Sequence, residues 1–377
     1  MGVGKHNPCG LTLTSRAFTS LVPELANTSK LRLKLPSYFN ILQLTSKFTP
    51  RLSRTTRPFI SESNPAMTYP IGSTETKTPA RPKISAFPKC YLEEISQKKS
   101  MSVFDWIEMA KDLPADGLEM YEGFLWETSD SYLAKIRNAL TEANFLMPML
   151  CCSPDFTHPS AANRIRAIEY QKRMIEVAYK LGGPGTVCRV LSGQRWPEVS
   201  LEQGLDFASQ AIIDCLKTAE DLGVVLGIEN HYKDGFWTYP EFAQKKDVFL
   251  QLLQRIPQSA YFGVQFDPSN AVVAGDDPIE LLDAVLPRVV SMHASDRYLA
   301  PGASLADLAS ADGSLGYAKV LLHGVTGKGL NDYDAIFTRL ASINYLGWIS
   351  IEDGMNGMGE MKESLEFLHA MCDKHYS

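Results

Sequence analysis

No apolar stretch in this 377-residue chain approaches the ~18 consecutive residues that a membrane-spanning helix needs, so no transmembrane helix is expected. Cysteine is sparse and shows no pairing pattern. The seven are Cys9, Cys90, Cys151, Cys152, Cys188, Cys215 and Cys372, an odd number without a CxxC pair. That argues against a disulfide framework or a zinc ribbon and points to reduced thiols in an intracellular protein. The adjacent Cys151 and Cys152 read as the end of a buried strand, with no basic neighbour in sequence to activate a thiol. No GxGxxG opens a helix after a strand, so the fingerprint of a dinucleotide-binding open sheet is missing. The GGPG at 182–185 precedes a strand and reads as a helix stop. Acids are nearly absent from residues 1–66, where Glu24 and Glu62 stand against nine Lys/Arg. The remainder carries 28 bases and 41 acids. So acidic a body argues against a protein that tracks nucleic-acid phosphates.

The acid-poor start is rich in Ser, Thr, Leu and Arg, as organellar transit peptides are. A second reading makes it an upstream extension, with Met67 as the working start. Both readings place residues 1–83 outside the fold, as a disordered basic extension and linker, and residues 84–377 in the body. Both imply a cytoplasmic or mitochondrial protein rather than a secreted one.

From Ile84 on, short apolar runs alternate with longer segments of helical spacing. Strand candidates are 84–90, 117–123, 144–152, 186–191, 224–230, 261–267, 289–295 and 348–353. Helical segments include SVFDWIEMAKDL, RIRAIEYQKRMIEVAYKLG and YPEFAQKKDVFLQLLQRI. Apolar strands between helices indicate a parallel sheet covered on its outside. Eight such units predict an α/β fold, the closed (β/α)8 TIM barrel. One connection is long: residues 296–330 follow the seventh strand and are rich in glycine. A loop of that length beside a strand end suggests a lid or binding loop.

Four ligand-type residues stand at the ends of the last four strands: Glu229 in VVLGIEN, Asp267 in YFGVQFD, His293 in VVSMHAS and Glu352 in WISIED. Taken singly, each has a plainer reading. Asp267 before Pro268 suits a turn or helix start, and a histidine on an apolar strand is usually a satisfied core residue. Their coincidence on adjoining strand ends carries the argument, since a barrel keeps its chemistry there. Three carboxylates buried together repel and raise one another's pKa values unless a cation joins them. The donor set of three carboxylates and one imidazole suits one divalent ion: Mn²⁺, Mg²⁺ or Co²⁺, with Zn²⁺ also compatible.

These four residues, with NYLGWISIE and GKGLNDYDAIF near the end, make residues 84–375 resemble the xylose isomerase-like TIM-barrel superfamily of sugar and sugar-phosphate isomerases and epimerases. The resemblance implies that Glu229, Asp267, His293 and Glu352 bind one metal. It also implies that Glu229 and Glu352 move the substrate proton through a cis-enediolate. Where many ketose epimerases place a substrate-binding histidine, three residues after the metal Asp, this chain has Asn270. Further substrate-binding candidates are Arg189 at the fourth strand end, His231 and Trp237 in ENHYKDGFW, His158 after the third strand, and Arg297. Asp296 is a candidate to orient His293 from behind. Glu119 and Glu122 follow the second strand, and one of them is expected to line the pocket.

The function expected on this basis is a divalent-metal-dependent isomerase or epimerase of a sugar or related polyol-ketone. The alternative is a lyase or dehydratase acting on a keto-sugar or keto-cyclitol at the same site, and a less favoured one is a non-catalytic barrel. The expected partner is a small sugar-like molecule, not nucleic acid or membrane. Barrels of this kind often assemble, so a homodimer or homotetramer is expected.

Overall fold

The computed structural model describes residues 80–304, 306–307, 320–352 and 354–376. The readings made for residues 1–79, and for the middle of the 296–330 loop, lie outside these residues.

The strand segments are β1 (Lys83–Ala86), β2 (Gly117–Leu118), β3 (Met120–Tyr121), β4 (Met149–Cys151), β5 (Val187–Val190), β6 (Val225–Glu229), β7 (Phe262–Phe266), β8 (Val289–Ala294), β9 (Asp296–Leu299), β10 (Leu321–Gly324) and β11 (Trp348–Ile351). The helices described are α1 (Leu92–Ser96), α2 (Val103–Met109), α3 (Asp130–Glu142), α4 (Ala161–Gly182), α5 (Leu201–Leu222), α6 (Lys246–Arg255), α7 (Pro268–Ala274), α8 (Pro278–Val285), α9 (Tyr333–Ser342) and α10 (Met358–His375).

Nine strand segments form one parallel sheet in the order β2-β1-β11-β8-β7-β6-β5-β4-β3. Its two ends, β2 and β3, are pieces of one barrel strand interrupted at Glu119. A parallel bridge from Gly117 to Leu146 closes the ring. The eight barrel strands of the sequence reading are therefore present, the second of them broken. Helices pack around the outside over a core that includes Trp106, Phe249, Phe266, Phe337 and Leu365, all buried.

Local chemistry sets the element ends. Ser102 with Asp105 and Ser200 with Gln203 form capping boxes that start α2 and α5. Gly223, at φ 70°, closes α5 in the left-handed conformation. Two boundaries differ from expectation. The helix expected from Tyr239 begins at Lys246, because the preceding segment pairs with the loop after β5: Glu241 bridges Gln194, and Arg195 N–H donates to the Pro240 carbonyl at 2.8 Å. The strand expected over 144–152 shrinks to β4, because Pro148 has no N–H to give a ladder. Two short helices, α1 and α7, interrupt the simple alternation.

Strand alternation fixes what lies inside the barrel. Two residues before each ligand position stand Gly227, Gln265, Ser291 and Ser350, all buried. Barrels usually stack branched aliphatics in such layers. Here the floor of the site is small and polar instead. The described ends of the long 296–330 connection form an antiparallel hairpin, β9 on β10, with Arg297 opposite His323.

Candidate metal centre

β6, β7, β8 and β11 are neighbours in the sheet, and each delivers one ligand-type group at its C-terminal end. One atom each from Glu229, Asp267, His293 and Glu352 lie within 4.8 Å of one another. His293 Nδ1 is 3.2 Å from Glu229 Oε1, 3.7 Å from Glu352 Oε2 and 3.9 Å from Asp267 Oδ2. The first three residues are buried, and the Glu352 side chain keeps 16% exposure at the floor of an opening.

Asp267 shows how the plain and the functional readings coexist. Its Oδ1 accepts from Asn270 N–H at 3.0 Å, capping α7, and from Ser295 Oγ at 2.9 Å. Its Oδ2 is buried with no protein donor and faces His293. A buried carboxylate oxygen without a donor is costly unless a cation meets it. That oxygen and the O,O,N,O donor set fit a divalent ion.

The electrostatics follow from crowding. Burial, then Glu229 and Glu352, push Asp267 up to about 6. Burial opposes charge on His293, but Glu119, Glu352 and Glu229 raise it well above its ordinary value. Burial also opposes charge on the two glutamates. Arg189, then His231 and His293, nevertheless hold Glu229 well below the carboxylate range, and Lys89 and His293 lower Glu352.

Each outer carboxylate oxygen has a cation. Arg189 Nη1 donates to Glu229 Oε2 at 2.8 Å, and Lys89 Nζ donates to Glu352 Oε1 at 2.9 Å. Asn270 Nδ2 donates to Glu229 Oε1 at 3.1 Å, so this residue supports the ligand itself. The opening above is a cavity of about 110 Å³ lined by Phe87, Lys89, Tyr121, Arg189, His231 and Phe236, among others. A larger hollow of about 500 Å³ lies on the outer face between α4 and α5, with no carboxylate–histidine cluster.

The other candidates divide. His231 lines the cavity, stacks on Tyr232 with ring centroids 5.1 Å apart, and has Glu241 Oε2 3.6 Å from its Nδ1. Arg297 is buried with its guanidinium over the Tyr232 ring. Three candidates lie elsewhere than expected. Asp296 does not orient His293. Its carboxylate accepts from the backbone N–H groups of Arg297, Gly327, Gly329 and Asn331 and pins the hairpin base. The partner of His293 is Glu119, whose Oε1 is 2.8 Å from Nε2. His158 is engaged with Ser160 N–H, Asn163 and the Trp196 ring, away from the cavity lining. Trp237 is buried against His231, and Phe236, 71% exposed, is the aromatic at the mouth.

Sequence reasoning missed Lys89, Tyr121 and Cys151. Lys89 lies just past the end of β1, the place where barrel chemistry collects, and that position was its available signal. Cys151 donates to Glu119 Oε1 at 3.0 Å, and burial pushes its thiol up.

The family model for the xylose isomerase-like TIM barrel matches residues 107–371. The chain is 27% identical over 139 residues to an inosose dehydratase of Bacillus thuringiensis (strain Al Hakam), covering 36% of this chain and 42% of that one. It thus spans less than half the length of this curated relative. In structure it is similar to a xylose isomerase domain protein from Planctomyces limnophilus, with TM-score 0.59, 18% identity and coverage of 78% and 98% of the two chains. It is likewise similar to a D-tagatose 3-epimerase-like protein, with TM-score 0.60, 18% identity and coverage of 78% and 97%. At such identities the structural likeness shows the fold. Among the described residues no helix is long and apolar enough to cross a membrane.

Proposed function

The chain belongs to the xylose isomerase-like TIM-barrel family, and from that premise we propose that it removes the proton beside the carbonyl of a polyhydroxylated ketone, as a divalent-metal-dependent isomerase or epimerase of a sugar or related polyol-ketone. One observation carries this: ligand atoms of Glu229, Asp267, His293 and Glu352 converge within 4.8 Å, and Glu352 lines the cavity. Mn²⁺, Mg²⁺ or Co²⁺ suits three carboxylates and one imidazole, with Zn²⁺ also compatible. When bound, the ion would polarise the substrate carbonyl and offset the charge that develops on its oxygen.

The chain's own groups supply the rest. Glu229 and Glu352 are the carboxylates placed to take and return the proton. His231 and Arg189 line the cavity with groups able to bind hydroxyl and carbonyl oxygens. Phe87, Tyr121 and Phe236 give the apolar walls that accept the faces of a sugar or cyclitol ring.

A second reading is dehydration of a keto-sugar or keto-cyclitol at the same four-residue site. The likeness to an inosose dehydratase supports the same reading.

Incubation in D₂O with Mg²⁺ and a panel of keto-sugars, sugar phosphates and cyclitols, followed by NMR, tests both. Solvent deuterium at one carbon without loss of water supports isomerisation or epimerisation. A dehydrated product supports the second reading. No exchange with any member of the panel counts against both. The acid-poor first 66 residues support a cytoplasmic or mitochondrial setting, and a homodimer or homotetramer is the assembly to test by light scattering.

A further inference from the structure

The four ligand strands form a continuous arc, β11-β8-β7-β6, and the strands flanking it are β1 on one side and β5 on the other. Each flanking strand sends one cation inward. Lys89, in the turn after β1, reaches the end of β11, and Arg189, on β5, reaches the end of β6. They meet the two glutamates in the same way. On Glu229, Oε2 is held by Arg189 at 2.8 Å while Oε1 faces His293 Nδ1 at 3.2 Å. On Glu352, Oε1 is held by Lys89 at 2.9 Å while Oε2 faces His293 Nδ1 at 3.7 Å. The Lys89 and Arg189 side chains are only 13% and 6% exposed, so both contacts are shielded from bulk water, and both residues line the cavity.

We propose that Lys89 and Arg189 are the positioning residues of the metal centre, a pair of clamps that make each glutamate meet the ion through its inner oxygen alone. The physical reason is geometric. A carboxylate is able to meet a divalent cation through one oxygen or through both. A charge-assisted hydrogen bond to one oxygen leaves the other as the ligand. Two clamped glutamates occupy fewer positions around the ion than two free ones. Positions left open in this way would be available to a carbonyl and its neighbouring hydroxyl entering from the cavity. Arg189 is doubly braced for this task, since Nη2 donates to Ser153 Oγ at 3.1 Å and Nε to the Cys152 carbonyl at 3.3 Å. Lys89 has a tie of its own, because Phe87, two residues earlier, donates its N–H to the Ile351 carbonyl, next to Glu352, at 3.1 Å.

This inference rests on the proposed metal site, and its test separates the two. The full chain is loaded with Mn²⁺ alone, and its electron paramagnetic resonance spectrum and Mn²⁺ affinity are compared for wild type, Lys89→Met and Lys89→Arg. The clamp predicts that Lys89→Met keeps Mn²⁺ affinity within about tenfold. Its bound-ion spectrum should change, and Lys89→Arg should restore the wild-type spectrum. Unchanged spectra in wild type and Lys89→Met would overturn the clamp and leave the metal site standing. Absence of a bound-ion signal in wild type would overturn both. Should Lys89→Met fail to fold, a crystal structure of the wild-type protein with Mn²⁺ decides: Glu352 Oε2 on the ion and Oε1 on Lys89 supports the clamp, and both oxygens on the ion refutes it.

Discussion

Glu119 Oε1 lies 2.8 Å from His293 Nε2, and both side chains are fully buried. The glutamate sits at the break between β2 and β3, where the barrel strand is interrupted. Its other hydrogen-bond partner is the Cys151 thiol. It therefore fixes the ring orientation of His293 and directs Nδ1 toward the three carboxylates. Partners of this kind are worth roughly 10–100-fold in metal affinity. Glu119→Gln is expected to weaken divalent-metal binding by about that factor, measured by calorimetric titration, and an affinity equal to wild type would remove Glu119 from this role.

Without an ion, Glu119, Glu352 and Glu229 raise His293 well above its ordinary value and so favour its protonated ring, against burial. A metal ligand must offer a neutral ring nitrogen, so metal uptake displaces that proton. The sign follows: apparent metal affinity rises with pH as protons are withdrawn. Asp267, pushed up to about 6, adds a second released proton below that pH. Metal binding should therefore release protons, read from calorimetry in two buffers of different ionisation enthalpy. Binding heats that do not depend on the buffer would contradict this.

Among the four proposed ligands, Glu352 combines a partly exposed side chain with a cationic partner, Lys89. Glu352→Gln is expected to lower turnover by roughly 10³-fold or more while the thermal midpoint stays within a few degrees. Near-wild-type turnover would take Glu352 out of proton transfer.

Asp296 pins the hairpin through four backbone N–H donors and does not touch His293. Asp296→Ala leaves those donors unmet, at a cost of about 2–4 kcal/mol. Hydrogen exchange should show the loss first in β9 and β10, with metal affinity changed only a few-fold. A large loss of metal affinity without added exchange would restore Asp296 as the partner of His293.

The barrel and the convergence of Glu229, Asp267, His293 and Glu352 were legible because each strand ends on its ligand-type residue, a pattern local in sequence. The supports were less legible because they are made across the sheet. Lys89 and Glu352 are separated by 263 residues, and Glu119 and His293 by 174. No spacing rule links such pairs; only adjacency in the closed sheet does. Asp296 misled for the opposite reason, since nearness in sequence to His293 suggested a contact, whereas the chain turns there into β9. In ENHYKDGFW the larger aromatic drew attention, but Trp237 packs inward on His231 and leaves Phe236 at the mouth.

The central claim is that Glu229, Asp267, His293 and Glu352 together hold one divalent ion. Its most direct test is titration of chelator-treated full-length protein with Mn²⁺, wild type beside His293→Ala, with bound metal counted by mass spectrometry. Wild type should bind about one ion per chain and His293→Ala should bind it roughly 100-fold or more weakly. Equal stoichiometry and affinity in the two proteins would contradict the account.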